Sequence, residues 1–269
     1  MSEAVLSPFN SCNKKKTKSM NKVLMAVIII LTLIILLEVA FYLFVAPNMI
    51  INEIVINGVI DLSNEEIVDI AALGGRKYFF SLDVRNVRER LESHYLVRSA
   101  EVEKVFPDSI EITLTAREPL AMALVASEER TVPIVFDSEG VVFQIGRSVR
   151  DFNLPVVSGL RFESFSLGQQ LPRQLSSFFQ DLQELRQSEP ELLSAISEVQ
   201  VVRRNEVDFE LLLYPSHYNI PVRTGSELNE TLLEYILMVL DVVETRGYAE
   251  NMEEIDFRTG EIVYQVREE

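Results

Sequence analysis

Few side chains in this sequence are equipped for catalysis. Its two histidines, His94 and His217, lie far apart along the chain, and its one cysteine, Cys12, sits among polar and basic residues near the N-terminus. General acid–base or nucleophilic chemistry needs a base near its working pKa beside a nucleophile or a metal. Neither a phosphate-cradling glycine loop nor a zinc-ligand spacing occurs in the sequence. Acids are plentiful, 41 Asp and Glu together, so a two-carboxylate hydrolase fits the composition. They fall mostly on the polar side of alternating segments, however, where solvated carboxylates belong. Asp137-Ser138-Glu139-Gly140 has the start of a calcium loop, lacks the remaining ligand positions and reads as a turn. No enzyme, metal, cofactor or small-molecule substrate is expected; the chemistry on offer is that of binding.

Two stretches suit a polypeptide partner. Arg203 and Arg204 are adjacent cations in a chain of formal net charge −16, placed either to select an acidic segment or simply to solvate a hairpin end. Residues 261–266, which include Glu261, Ile262, Val263 and Tyr264, read as a strand. At a sheet edge its free amides and carbonyls would pair with a partner strand. Tyr264 itself reads as a core aromatic. Nucleic acid is not an expected partner, because a phosphate-binding face needs clustered Lys and Arg.

These stretches are positioned first of all by a membrane anchor. Residues 23–37 form an uncharged apolar run that continues past Glu38 to Ala46, where Pro47 stops it. As a helix, residues 23–45 reach about 34 Å at about 1.5 Å per residue, enough to cross a bilayer with some tilt. A cleaved signal peptide would have a shorter apolar region and a small-x-small site, which Phe44, Val45 and Ala46 do not supply. Lys14, Lys15, Lys16, Lys18 and Lys22 flank the run on its N-terminal side. The expectation is therefore a cytoplasmic tail (residues 1–22), a single span of the cytoplasmic membrane (residues 23–46) and a periplasmic or equivalent extracytoplasmic bulk. Glu38 is the one acid in the span; snorkelling to interfacial water is its simpler role and contact with a neighbouring membrane helix its functional one. With a lone cysteine on the cytoplasmic side, the outer part must be held by its apolar core.

The length leaves room for about two domains. In the first, residues 47–119, a strand carrying Ile54 and Ile56 ends at Asn57-Gly58. Ser63 and Glu66 have capping-box spacing for a helix, and Val84, Val87 and Leu91 mark a second one. A hairpin follows, with Ala100, Val102 and Phe106 expected on one side of its first strand and Ile110, Ile112 and Leu114 on one side of its second. The chain then runs through Arg117-Glu118-Pro119 straight into apolar sequence, a stiff joint because Pro119 fixes φ. Residues 120–269 read as a mixed, antiparallel-rich sheet packed by helices, α+β in class. One helix carries Leu175, Phe178, Phe179, Leu182 and Leu185 on its apolar side. Another, over residues 227–246, has Leu228, Leu232, Tyr235, Ile236, Val239 and Val243 along one stripe and Gly247 as its stop.

A basic tail and single span followed by INEIVING, LSNEEI and FFSLDVRNVRERLESHYLVRSAEVEKVFPDSIEITLTAREPLA resemble the FtsQ/DivIB family of bacterial cell-division proteins, with its POTRA domain. LPVVSGL, IPVRTG before a long helix and IDFRTGEIVYQ follow in the order of that family's membrane-distal β domain. The resemblance implies a divisome scaffold without a reaction of its own, which receives small division proteins of the FtsB and FtsL kind by strand addition at the last strand. It implies further that Arg258, Gly260, Ile262 and Val263 belong to the family's terminal hairpin, and that Arg203 and Arg204 correspond to a basic pair close to the partner. The Arg258-Thr259-Gly260 turn is shorter than the family's and carries no aromatic. POTRA units also occur in outer-membrane assembly proteins, which carry a cleaved signal and a barrel; a membrane-anchored chaperone for envelope proteins is the alternative reading.

Overall fold

The computed structural model describes residues 14–46, 49–127, 130–151, 153–160, 165–205, 208–259 and 262–266. Cys12, Pro47, Gly260 and Glu261 lie outside the described residues. The first element is a helix, α1 (Lys14–Ala40), prolonged by a π-helical turn over Phe41–Val45. Among the described residues it is the one helix long and apolar enough to cross a membrane, over the 24 residues Lys22–Val45, or about 36 Å. Hydrocarbon offers no partner to a free polar group, and the Thr32 hydroxyl donates to the Ile28 carbonyl of its own helix at 2.8 Å.

Beyond the span, β1 (Glu53–Asn57), α2 (Asn64–Ile70), α3 (Val84–Glu92), β2 (Val97–Val105) and β3 (Ser109–Ala116) build a small sheet. Its order is β1-β3-β2, with β1 parallel and β2 antiparallel to the central strand. Ser63 starts α2 through a reciprocal cap: its hydroxyl accepts the Glu66 amide at 3.2 Å, and its own amide donates to the Glu66 carboxylate at 2.8 Å. Asp83 starts α3 by accepting the amides of Arg85 and Asn86. Ile67, Ala71, Val87 and Leu91 close over Ala100, Val102, Ile110, Ile112 and Leu114. Phe106 departs from expectation, for it does not join Ala100 and Val102 in the core but is 66% exposed. The ladder ends at Val105 opposite Ser109, so Phe106 has already left the strand's alternation and entered the turn.

The second sheet has nine strands: β4 (Ala121–Ser127), β5 (Arg130–Phe136), β6 (Val142–Ile145), β7 (Val156–Ser158), β8 (Ile196–Arg203), β9 (Phe209–Pro215), β10 (Val222–Thr224), β11 (Met252–Asp256) and β12 (Val263–Val266). They lie in the order β12-β11-β10-β9-β8-β7-β4-β5-β6. Hairpin neighbours are antiparallel, whereas β7–β8 and β10–β11 are parallel pairs joined by helical crossovers, and β7 also runs parallel to β4. The crossovers are α4 (Ser176–Ser188) with α5 (Pro190–Ser194), and α6 (Glu230–Thr245). Phe178, Phe179, Leu182 and Leu185 of α4 are buried as their spacing predicts. On α6 the buried stripe runs through Leu233, Ile236, Leu240 and Val243, leaving the expected Tyr235 40% exposed. That helix is apolar on nearly every side, so periodicity alone does not select its inward face. Gly247 ends it as expected, at φ 69° and with the Tyr248 amide donating back to the Val243 carbonyl. Gly159, just after β7, has φ +76° and lies so close to the Val201 carbonyl that any side chain would collide with it.

Between β3 and β4 the chain passes from one sheet to the other in four residues, and Arg117 is held on both sides of the passage. Its amide donates to the Leu96 carbonyl at 3.1 Å. Its guanidinium reaches Asp137 at 2.5 Å and Glu139 at 2.9 Å in the β5–β6 turn. The Arg117 and Asp137 side chains are only 9% and 3% exposed. Burial pulls the Arg117 pKa down, but the hydrogen bonds and charges of Asp137 and Glu139 outweigh it and keep it above its ordinary value. Asp137 also accepts the amides of Glu139 and Val141. The segment that reads from sequence as a plain turn is thus the socket of the joint. Around it Tyr95 and Leu96 pack on Met122, Val135, Phe143, Val149 and Leu154.

Removing one member of a buried pair strands the other's charge, so Arg117→Ala is expected to destabilise the protein by about 3 kcal/mol in urea unfolding of the full chain. A loss below about 1 kcal/mol, the worth of a surface pair, would refute the role given to this contact. The first unit also carries a pH dependence. Burial lowers the His94 pKa, with the Glu66 charge opposing, and the neutral ring accepts the Leu96 amide at 3.4 Å. The unfolded chain therefore takes up the proton more readily, and stability falls as pH drops below about 6.5. His94→Gln should flatten the slope of unfolding free energy between about pH 7 and pH 5.

Candidate functional site

β12 is the margin of the second sheet. It pairs antiparallel with β11, Asp256 facing Val263, Ile255 facing Tyr264 and Glu254 facing Gln265. Among the described residues no strand pairs with its other side. Ile262, Val263 and Tyr264 are all exposed, Tyr264 by 55%. This corrects the expectation of a core tyrosine: Tyr264 shares a face with Ile255, but the helical layer that buries Ile255 and Phe257 does not extend over the last strand. Tyr235 of α6 reaches only as far as Phe257, edge to face at 5.7 Å.

Two other margins, those of β6 and β2, are managed differently. At β6 the Val142 amide donates to the Gln169 carbonyl, and the Gly168 amide donates to the Val142 carbonyl, so a loop already occupies that edge. In the first sheet, β2 carries Arg98, Glu101, Glu103 and Lys104 along its length, a charged edge that resists pairing. Ile262, Val263, Tyr264, Gln265 and Val266 carry no charge and no proline.

Beside this margin lies a cluster of charges on the sheet face opposite the helices. Its centre is Glu210 of β9, buried to 5% exposure. Its carboxylate receives Arg204 from the β8–β9 turn, Arg258 at 2.6 Å and Arg223 of β10 at 3.3 Å. Arg223 also clamps Glu254 with two bonds, at 2.5 and 2.9 Å, and Arg258 holds Asp256. The Asp256 pKa is lowered, first by the Arg258 hydrogen bond, and that of Arg258 is raised by Asp256 and then Glu210. Arg223 is raised chiefly by its hydrogen bond to Glu254. Three guanidinium groups meet three carboxylates.

Of the residues singled out from sequence, Arg204 and Arg258 thus converge on Glu210, while Arg203 stands in register with Phe209 and donates to the Asn205 carbonyl at 3.0 Å. Ile262, Val263 and Tyr264 line the margin, Gly260 and Glu261 fall outside the described residues, and Glu38 lies in the span apart from this cluster. Glu210 escaped sequence reasoning. The signal was there: an acid that alternates with Leu212 and Tyr214 in FELLLYP, a strand apolar on both faces, has to find cations.

Residues 49–117 match the family model described as POTRA domain, FtsQ-type. The chain is 24% identical over 214 residues to the cell division protein FtsQ of Myxococcus fulvus, covering 79% of this chain and 72% of that one. To FtsQ of Mycobacterium tuberculosis it is 31% identical over 122 residues, 45% of this chain but only 37% of the mycobacterial protein. To FtsQ of Syntrophotalea carbinolica it is 24% identical over 185 residues, 69% of this chain and 63% of the relative. An FtsQ-type POTRA domain on the first sheet and an FtsQ relative aligned over 79% of the chain support placing it with the FtsQ/DivIB cell division proteins.

Proposed function

We propose that this chain is a division-site scaffold whose second sheet is completed by another polypeptide. The division role follows its relatives; the binding mode is supported by β12 itself. Proteins blunt exposed strand edges with charge, proline, bulges or a covering loop, and the stretch of residues 262–265 is uncharged and exposed, with β12 unpaired on its outer side among the described residues. An incoming strand would satisfy its amides and carbonyls and cover Val263 and Tyr264. Tyr235, Met238 and Val242, exposed on α6, add apolar surface on the helix-covered side of the same sheet.

The partners suited to this margin are small division proteins of the FtsB and FtsL kind, with Arg258, Gly260 and Glu261 shaping the turn that presents the strand. Arg204 and Arg258 hold the corner of the sheet through Glu210, which leaves Arg203 as the cation nearest to hand for an acidic partner segment. In this reading the lysine-rich tail is cytoplasmic, the two folded units, residues 47–119 and 120–269, stand outside the membrane, and Glu38 is available to a neighbouring span. The protein works by holding others and catalyses nothing.

Deleting residues 261–269 from the full-length protein should weaken capture of a purified FtsB–FtsL pair by about tenfold or more, equivalent to about 1.4 kcal/mol. Arg203→Glu should weaken it less, while the first unit keeps its native unfolding transition. In the complex, amides of residues 263–266 should gain protection from hydrogen exchange. Capture indifferent to the deletion, or unchanged exchange at β12, would contradict strand addition and leave the family assignment standing.

A further inference from the structure

Aromatic side chains gather where α1 meets the first sheet. The chain is tied down there: the Met49 amide donates to the Ala46 carbonyl, the Phe79 amide to Met49, the Ile51 amide to Lys77 and the Asn52 amide to Asp108, the last three at 2.9 Å. These bonds hold two segments, Lys77 to Phe80 and the Phe106-Pro107-Asp108 turn, within a few residues of the end of the span. Rings then connect them. Tyr42 and Phe80 have centroids 6.0 Å apart, Phe80 and Phe79 5.3 Å, and Phe79 and Phe106 6.3 Å. The Lys104 ammonium sits 5.7 Å from the centre of the Phe79 ring.

Only Phe79 of these loop rings is buried; Tyr78, Phe80 and Phe106 expose 43%, 39% and 66% of their surface. Three large aromatic side chains turned outward at one end of a small domain demand a covering medium. Tyr42 belongs to the Lys22–Val45 span, so its ring neighbour Phe80 stands at the level where that span leaves the hydrocarbon, and Phe106 lies further along the same chain of rings. At this depth aromatic rings partition into the boundary between headgroups and acyl chains. Arg76, Lys77 and Lys104 lie on the same end, with stems long enough to place their charges among phosphates. The acids there are engaged by neighbours, Asp108 by the Asn52 side chain at 2.8 Å and Glu53 by the Ser109 hydroxyl at 3.3 Å.

We infer that Tyr78, Phe80 and Phe106 dip into the interface of the bilayer that α1 crosses and seat the first unit on the membrane surface. This requires only that α1 spans a bilayer, whichever side the folded units occupy, and it stands or falls apart from strand addition at β12.

The chain contains no tryptophan, so one introduced residue reports without background. Full-length protein carrying Phe106→Trp, or separately Phe80→Trp, is reconstituted in phosphatidylcholine–phosphatidylglycerol vesicles with and without lipids brominated close to the headgroup. Val59→Trp, at a position 95% exposed beyond the far end of β1, serves as the control. Both reporters are expected to emit to the blue of the control and to lose emission to the brominated lipid where the control does not, because interfacial rings sit at the headgroup level. The Phe80 position reads the same contact should the Phe106 replacement disturb its turn. Emission like that of the control would overturn the inference. So would a blue shift without quenching, which would mean that a second copy of the chain, rather than lipid, covers the rings.

Discussion

A guanidinium and a carboxylate shut away from water at the passage from β3 to β4 govern how the folded part of this protein hangs together. Neither Arg117 nor Asp137 can leave its place without stranding the other in a medium of low dielectric. The contact therefore acts less as a source of net stability than as a constraint on geometry. Pro119 stiffens the same passage, and Arg186 of α4 donates to its carbonyl. Through this joint the small sheet beside the membrane carries the larger one, and with it the margin at β12.

A second set of charges plays a comparable part at that margin. β10 has three residues and meets β11 in register at only two positions, Val222 with Ile255 and Arg223 with Asp256. So short a ladder specifies register weakly. Side chains supply what the backbone lacks: Glu210 of β9, Arg223 of β10, Glu254 and Asp256 of β11 and Arg258 beyond it form a continuous band across three strands. Shifting any of these strands by one residue would turn its charges to the opposite face of the sheet, where the apolar core lies. The edge strand is thus hung from a sheet whose last rows are locked by ions.

How much of this could be read from the sequence depended on whether the deciding partner was near in the chain. α2 was legible because Ser63 and Glu66 cap it from three residues apart, and α4 because Phe178, Phe179, Leu182 and Leu185 leave one choice of face. Phe106 misled because alternation continues on paper after the ladder has stopped. Tyr264 misled because a strand's composition does not say whether a helix covers it. α6 offered too many apolar positions for its phase to be fixed, and the five-residue α5 was too short to announce itself. Asp137 and Glu210 owe their roles to arginines brought in from other strands and turns; the pattern FELLLYP says that Glu210 needs cations but not which ones, and Asp137, in a turn, lacks even that signal.

The contrast between the two ends of the nine-stranded sheet bears on what it can assemble. At β6 residues 168 and 169 already use the hydrogen-bonding groups of Val142, whereas among the described residues no strand pairs with the outer side of β12. Under the strand addition proposed above, such a sheet would behave like a polymer with one end partly capped, with room for an addition at β12. The loop at Val142 would hinder repeated stacking of such sheets into a fibre. For a molecule tethered in a crowded membrane, that asymmetry would keep the proposed recruitment finite.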